Sequence, residues 1–568
     1  MKLKSLQSTT KVSLPFKGRA GERSLAITTK LFAFLTVLLI SGLGGSALQA
    51  QSWQWAKSYG GPNGDGPSKI CLDQAGNLFT ASTCMFPYSV YGHDTLGVWG
   101  ISNIFISKQD NQGNFLWIRR AGGINNEGGA QTVWDMYFEK ETNSLIMTGV
   151  MAGSETKIGS CMFYGDLFMF LSKLDSGGNC IWGKMEANLG DPSLLSIYPD
   201  SSGNIYMAGN TKYKSWFTGG ISIQPGGFLA KFRADDGSLV WVKKIMEPGG
   251  YLYDIIATRT GLLVSGCSAE NTLSIGGTQI NCQGKDIFLS RFSLDGNLQW
   301  VKTMGGPGTE AGGTIYQDNS ENIYISGIFH SLATFGTITL TNNDKDDDFL
   351  AKCDNTGTVR WVKQLHISES VLGITHNTNG QGETWLSGTF TGNAVFGEQL
   401  ITADIKGEQF VAKYSRDGNC VGVIHSANAY NTCFERTENG DFFVAGSFSG
   451  ITNFGINKLT SMGNDDGFIA KHDAITGIPH PVENPQRNLV IYANPTTGRC
   501  NVTIPGEFMH EKQLTLTVFD SMGKLVEKRT VTLAEGKISL NLEAQARGIY
   551  QVKLDNGVKG YVGRVVFE

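Results

Sequence analysis

Gly237-Ser-Leu-Val-Trp241-Val-Lys-Lys244 and Gly296-Asn-Leu-Gln-Trp300-Val-Lys302 are two copies of one motif, and the interval between them decides the fold. The tryptophan place recurs at Trp55, Trp117, Trp182, Trp241, Trp300 and Trp361, with Gly422 in the seventh; successive gaps are 62, 65, 59, 59, 61 and 61 residues. A fixed period of this size makes each copy one supersecondary unit that buries its apolar faces only against its neighbours, as in a solenoid, an array or a closed propeller.

Each period holds about four short runs in which aliphatic or aromatic residues alternate with polar ones. In the fifth copy these are Trp300-Val-Lys-Thr, Gly313-Thr-Ile-Tyr-Gln-Asp, Asn322-Ile-Tyr-Ile-Ser-Gly327, and the pair Phe335-Gly-Thr-Ile-Thr-Leu340 with Phe349-Leu-Ala-Lys352. Turns such as Asp73-Gln-Ala-Gly-Asn77, Asp110-Asn-Gln-Gly-Asn114 and Asp175-Ser-Gly-Gly-Asn179 separate them. Asp and Asn bond their own backbone there, and Gly supplies the positive φ of a tight hairpin, so the runs read as consecutive antiparallel strands. Four strands per period is one propeller blade, and seven blades leave no long exposed sheet edge. The chain ends point the same way. After Phe468-Ile-Ala-Lys471 no Trp strand follows, whereas Trp53-Gln-Trp55-Ala-Lys-Ser58 stands unpaired at the start. The expectation is an all-β, seven-bladed propeller over 51–478, closed by its N-terminal strand. Gly60-Gly61, Gly122-Gly123 and Gly305-Gly306 each follow a Trp strand and mark a recurrent turn of the fold, not a phosphate cradle.

Composition agrees. Charged residues are only 17% and Gly is 73 of 568, a profile poor in helix formers and rich in turns. A net charge of −4 with no basic stripe argues against nucleic acid as a partner. A basic lead, the apolar run Leu31 to Ile40 and the small residues up to Ala50 read as a signal peptide over 1–50, with cleavage after Ala50 or Ala47. The apolar core is too short to span a bilayer, and no later run is expected to cross one. Export permits disulfides, and Cys71/Cys84, Cys161/Cys180, Cys267/Cys282 and Cys420/Cys433 are close in sequence. The alternative is that they are small apolar fillers, Cys71 and Cys433 occupying one repeat position and Cys180 and Cys420 another.

Ile478-Pro-His-Pro-Val-Glu-Asn-Pro-Gln486 ends the repeat and makes 479–487 a stiff linker. Beyond it, 488–568 holds six or seven short alternating strands, the pattern of a small β-sandwich. In this tail Tyr492-Ala-Asn-Pro-Thr-Thr-Gly498, Asp520-Ser-Met-Gly-Lys524, Gly548-Ile-Tyr-Gln-Val552 and Gly563-Arg-Val-Val566 resemble, in order and spacing, the C-terminal sorting domain of type IX secretion substrates in Bacteroidota. Ala493 replaces a usual Pro, and Arg564 stands where Lys is common. The resemblance implies export to the periplasm, recognition by an outer-membrane translocon, and secretion or surface attachment. It makes Asn494, Pro495, Gly498, Gly523, Gly548, Tyr550 and Arg564 the sorting-motif residues. The repeats, with Asp286-Ile-Phe-Leu-Ser290 and Asp348-Phe-Leu-Ala-Lys352, are similar to a bacterial seven-bladed propeller repeat family of secreted and surface proteins, which implies a fold without a fixed activity.

No catalytic motif is legible: the eight histidines are scattered, with no H-E-x-x-H, and neither a G-x-S-x-G elbow nor a Walker loop occurs. Asp235-Asp-Gly-Ser-Leu-Val-Trp241 resembles the docking motif of quinone-dependent dehydrogenases, but those are eight-bladed, and this chain has seven repeats and no neighbouring cysteines. No catalytic or cofactor residue is therefore assigned. Asp344, Asp346, Asp347 and Asp348 are the best calcium candidate, against a solvated loop. Loops of varying length on regular strands point to binding of an extracellular glycan or protein, with Tyr88, Tyr91, Trp99, Tyr213 and Trp216 as candidate contacts. The rival is a polysaccharide hydrolase or lyase with carboxylates converging in the channel; a purely structural surface component is a third reading.

Overall fold

The computed structural model describes residues 53–475 and 489–568, apart from 125–128, 130, 189–191, 270, 368–369, 398, 404–406, 509–510, 512, 520–524, 532–536 and 557–559. The expected signal peptide and linker, and Gly523 of the tail, lie outside the described residues.

Seven antiparallel meanders follow one another, and each adds a sheet whose first strand packs on the first strand of the next. These first strands are Asp65–Leu72, Thr132–Glu139, Pro192–Pro199, Tyr251–Thr258, Ala311–Gln317, Ser370–Thr378 and Ala429–Arg436. The seventh also packs on the first, which makes the circuit of contacts continuous. Blades 1 to 6 take their four strands from one stretch of chain. Blade 7 takes three from the C-terminal end, and its outer strand is Trp53–Tyr59, antiparallel to Asn457–His472 with Ala56 opposite Ala470. Trp53 is buried there, edge-on to Phe442, Phe454 and His472.

Burial explains the sequence pattern. The second and third strands of a blade lie between two neighbouring sheets, so Gly261–Cys267 and Ile287–Phe292 are buried along their whole length and read as continuous apolar runs. Outer strands such as Leu298–Met304 keep one wet side and retain polar residues. Every apolar cluster of the ring combines residues of adjacent blades, for instance Phe79 and Ile106 with Phe138 and Phe170. No blade has a core of its own, which is the physical content of the sixty-residue period.

The recurrent tryptophans sit on the outer strands, and each indole lies on a glycine of the next blade. Cβ atoms added to Gly113, Gly178, Gly237, Gly296, Gly357 and Gly418 would come within 2.6 to 3.1 Å of Trp55, Trp117, Trp182, Trp241, Trp300 and Trp361 respectively. These glycines close the turn between third and fourth strands with φ between 70° and 81°, so both backbone and indole exclude a side chain. Trp55, Trp117 and Trp182 also donate Nε1–H to carbonyls of the same turns, at Asn111, Ser176 and Ala234. The exception explains itself. Gly422 is on the outer strand of blade 6, and blade 7 has no such turn, because its third and fourth strands come from opposite ends of the chain.

A second tie runs the other way. The connection between second and third strands forms a hairpin that laps back onto the outer strand of the preceding blade, as Thr156–Ile158 on Phe115–Gly123 and Asn393–Phe396 on Val359–Ile367. The Cys161–Cys180 disulfide anchors one such hairpin, on blade 1, to the outer strand of blade 2. The other described cysteines form no disulfide, and Cys71, Cys84, Cys267, Cys353, Cys433 and Cys500 are buried as small apolar residues. Cys71 and Cys433 are not equivalent: Cys433 follows the first-strand bulge, the place held by Lys69 in blade 1.

The tail strands form a three-stranded sheet (Ile491–Tyr492, Arg499–Thr503, Lys537–Asn541) and a four-stranded one (Leu525–Val531, Leu514–Phe519, Gly548–Asp555, Gly560–Phe567) around one core that includes Val502, Leu516, Val552 and Val565.

Candidate functional sites

The two ends of the ring differ. One end carries short turns, many of them Asx turns, and three acids there are paired with lysines of the third strands: Lys108 with Asp73 at 2.9 Å, Lys173 with Glu139 at 2.6 Å and Lys413 with Glu383 at 2.8 Å. These charges are occupied in holding turns. The other end carries the lapping hairpins, and there the predicted contacts divide. Tyr91 is buried to 1%, stacked on Tyr59 at 4.7 Å and packed on Phe105 and Phe115, so it caps the space between blades and is withdrawn from the ligand set. Tyr88 and Trp99 stand exposed on the blade 1 hairpin, and the Arg120 guanidinium lies 3.2 Å from the centre of the Trp99 ring. Tyr213 and Trp216 stand exposed on a second hairpin, with the Lys214 ammonium 4.4 Å over the Trp216 ring. Sequence reasoning missed Met85, Phe86 and Ile101, which are exposed beside Tyr88 and Trp99. Their signal was an apolar loop that no strand period claims.

The aspartate run does not gather. Neighbouring residues of a strand point to opposite faces: Asp347 accepts from Gln364 and from the Ile367 N–H, whereas Asp348 is buried with no hydrogen-bond partner among the described residues, and burial holds its carboxyl well above the usual range. Asp346 meets His330, and the Asp344 side chain lies outside the described residues.

In the channel, the residue after the first-strand bulge of blades 1 to 4 links to the next blade. Lys69 Nζ is 3.6 Å from Asp135, the Ser196 hydroxyl is 3.2 Å from Asp135 and 2.8 Å from Asp254, and the two carboxylates accept the Ile197 and Ile315 N–H groups of the following blades at 2.8 and 2.9 Å. A single hydroxyl between them holds the carboxylates about 6 Å apart or closer, the span of two hydrogen bonds. Burial pushes Asp254 up to about 6, and Asp135 beside it raises Lys69. Two residues along, Tyr137 and Tyr198 pack at 5.4 Å, and burial lifts Glu435 to about 7. Ser326 and His376 meet at 2.8 Å, but both are buried in the blades, and burial drops the imidazole to about 3, so it is no base at neutral pH. Among the described residues no three His, Cys, Asp or Glu side chains converge to hold a metal.

In the tail, motifs distant in sequence meet. Asn494 donates to the Arg564 carbonyl at 2.6 Å and accepts from the Val566 N–H at 2.9 Å, and Thr496 bonds Val566 and Glu568. Gly498, at φ +130°, accepts from Leu542, and the Tyr550 hydroxyl donates to the Ala546 carbonyl. The result is an exposed edge of Tyr492, Asn494, Pro495 and Arg564.

Residues 490–568 match the family described as secretion system C-terminal sorting domain. No curated protein matches the chain. Solved structures similar to it include the Pan2 WD40 domain of Neurospora crassa (10% identity, 72% of this chain and 89% of that one, TM-score 0.35) and BamB from Moraxella catarrhalis (10%, 76% and 100%, 0.31). An intramolecular trans-sialidase from Ruminococcus gnavus is another (9%, 73% and 95%, 0.30). At these scores the fold rests on the strand pairing described above. The chain is a β-propeller protein exported by type IX secretion through its C-terminal domain, and so is secreted or attached at the cell surface. No helix among the described residues is long and apolar enough to cross a membrane.

Proposed function

We propose that the protein is an extracellular binding scaffold whose hairpin face engages an acidic glycan. The observation that supports this reading is the pair of exposed indoles, Trp99 at 37% and Trp216 at 52%, each flanked by a cation and each on a hairpin tied to two blades. Indole faces suit sugar rings, and adjacent Arg and Lys suit carboxylate or sulfate substituents. Aromatic side chains left in water on rigid supports have no role in the core. A glycan and protein array probed with the secreted chain tests the reading: binding to acidic glycans that falls at least tenfold in Trp99→Ala/Trp216→Ala supports it, and binding unchanged in that variant refutes it.

The channel carboxylates favour a second reading, a polysaccharide hydrolase or lyase. Against it, Asp135 and Asp254 accept backbone N–H groups of neighbouring blades, which is the work of an inter-blade latch. Reducing-end release from acidic polysaccharides that disappears in Asp254→Asn with the fold retained would favour the enzyme.

A further inference from the structure

Asp73, Glu139 and Glu383 at the turn end of the ring have lysines; four acids at the hairpin end have no ion-pair partner among the described residues. Asp65, four residues before Lys69, opens the first strand of blade 1, and Asp466 stands five residues before Lys471 in blade 7, with Gly60-Gly61 running between them. Glu310 and Asp286 hold the same two places in blades 5 and 4, around Gly305-Gly306. All four are buried, at 3%, 1%, 0% and 6% exposure respectively. Asp65 Oδ2, Asp466 Oδ1, Glu310 Oε1 and Asp286 Oδ1 accept no hydrogen bond from the described residues. The groups acting on them are backbone N–H groups, thiols and other carboxylates.

The carboxylates lean on the glycine pairs. A Cβ on Gly305 would lie 2.6 Å from Asp286 Oδ1 and 2.6 Å from Glu310 Oε2, and one on Gly60 would collide with the Asp466 carboxylate. Backbone carbonyls gather at both junctions: those of Gly61 and Pro62 crowd against Gly463, and those of Gly306 and Gly308 against Gly284. The third glycine pair, Gly122-Gly123, carries amides instead, Asn103 and Gln131, at the same two places. The shape of the junction therefore does not require acids.

Two buried like charges without a counter-ion cost several kcal/mol. The Met85, Met462 and Gly306 N–H groups already serve the other oxygens of Asp65, Asp466 and Glu310, so a proton at each junction would serve one of the two remaining oxygens and leave the second without a donor. A hard cation is the ligand that takes carboxylate and carbonyl oxygens together. We propose that the Asp65–Asp466 and Asp286–Glu310 junctions each bind one divalent cation, with calcium as the extracellular candidate, and that the ions clamp blade 7 to blade 1 and blade 4 to blade 5.

Terbium luminescence and calorimetry with calcium chloride on the full secreted chain, stripped with chelator, test this. The expected result is two calcium ions per chain, one in Asp65→Asn or Glu310→Gln and none in the double variant, with calcium raising the thermal midpoint of the wild type by several degrees. Absence of terbium and calcium binding by the wild type overturns the proposal whatever the variants do. So does binding of undiminished stoichiometry in the folded double variant, or a gain in stability towards pH 5 that is lost in the double variant and shows no response to calcium, which would assign a shared proton.

Discussion

Gly178→Ala isolates the tie between blades 1 and 2. Gly178 has φ +81°, and the added Cβ would lie 2.8 Å from the Trp117 ring, whose Nε1–H bonds the Ser176 carbonyl at 3.1 Å. Gly203 is the control: it closes an equivalent Asx turn at φ +79° with nothing within 4 Å of its Cβ position. Placing alanine in the left-handed region costs about 1 to 2 kcal/mol at either site. At Gly178 the indole must also move. Losing its hydrogen bond costs about 1 kcal/mol, and exposing roughly 50 Å² of ring costs about as much again. Gly178→Ala should therefore be about 2 kcal/mol more destabilising than Gly203→Ala in urea unfolding followed by tryptophan fluorescence. In the Trp117→Leu background most of that difference should vanish. Equal costs at the two glycines, or a difference that survives removal of the indole, would refute the seating of tryptophan on glycine as the joint between blades.

Reduction of Cys161–Cys180, or Cys161→Ala/Cys180→Ala, should lower stability by about 3 kcal/mol for a bridge closing a loop of 19 residues, read from denaturant midpoints with and without reductant. Burial lifts Asp254 to about 6, so the folded chain keeps a proton that the unfolded chain gives up near pH 4; stability should fall as pH rises from about 4 to about 6 and hold level above that. Subtracting the profile of Asp254→Asn should expose this component, and identical profiles would remove Asp254 as its source. Deleting 488–568 should leave the propeller in the periplasm, and its normal appearance in the medium would contradict the sorting role of the tail.

The ring was legible because its joints are written as residues at fixed spacing: an indole on one outer strand, a positive-φ glycine before the next. The partner of the indole was not legible, because Trp117 and Gly178 lie 61 residues apart and each alone reads as core or turn. Tyr91 was misplaced among ligand contacts for a related reason. Its hairpin alternates Tyr88 outward and Tyr91 inward, and Tyr59 of the closing strand, with Phe105 and Phe115, buries the second ring. The junction of blades 7 and 1 stayed hidden because Asp65 and Asp466 are at opposite ends of the propeller sequence. The aspartate run, conspicuous in one dimension, is split by the strand that carries it.

Closure is the central claim, and a designed crosslink tests it most directly. Ala56 faces Ala470 across the Trp53–Tyr59 and Asn457–His472 pairing. In the secreted chain, Ala56→Cys/Ala470→Cys should oxidise to an intramolecular 56–470 disulfide, identified by peptide mass and accompanied by a higher unfolding midpoint. A thiol pair that stays reduced, or that links two chains, would mean that the first strand does not complete the last blade.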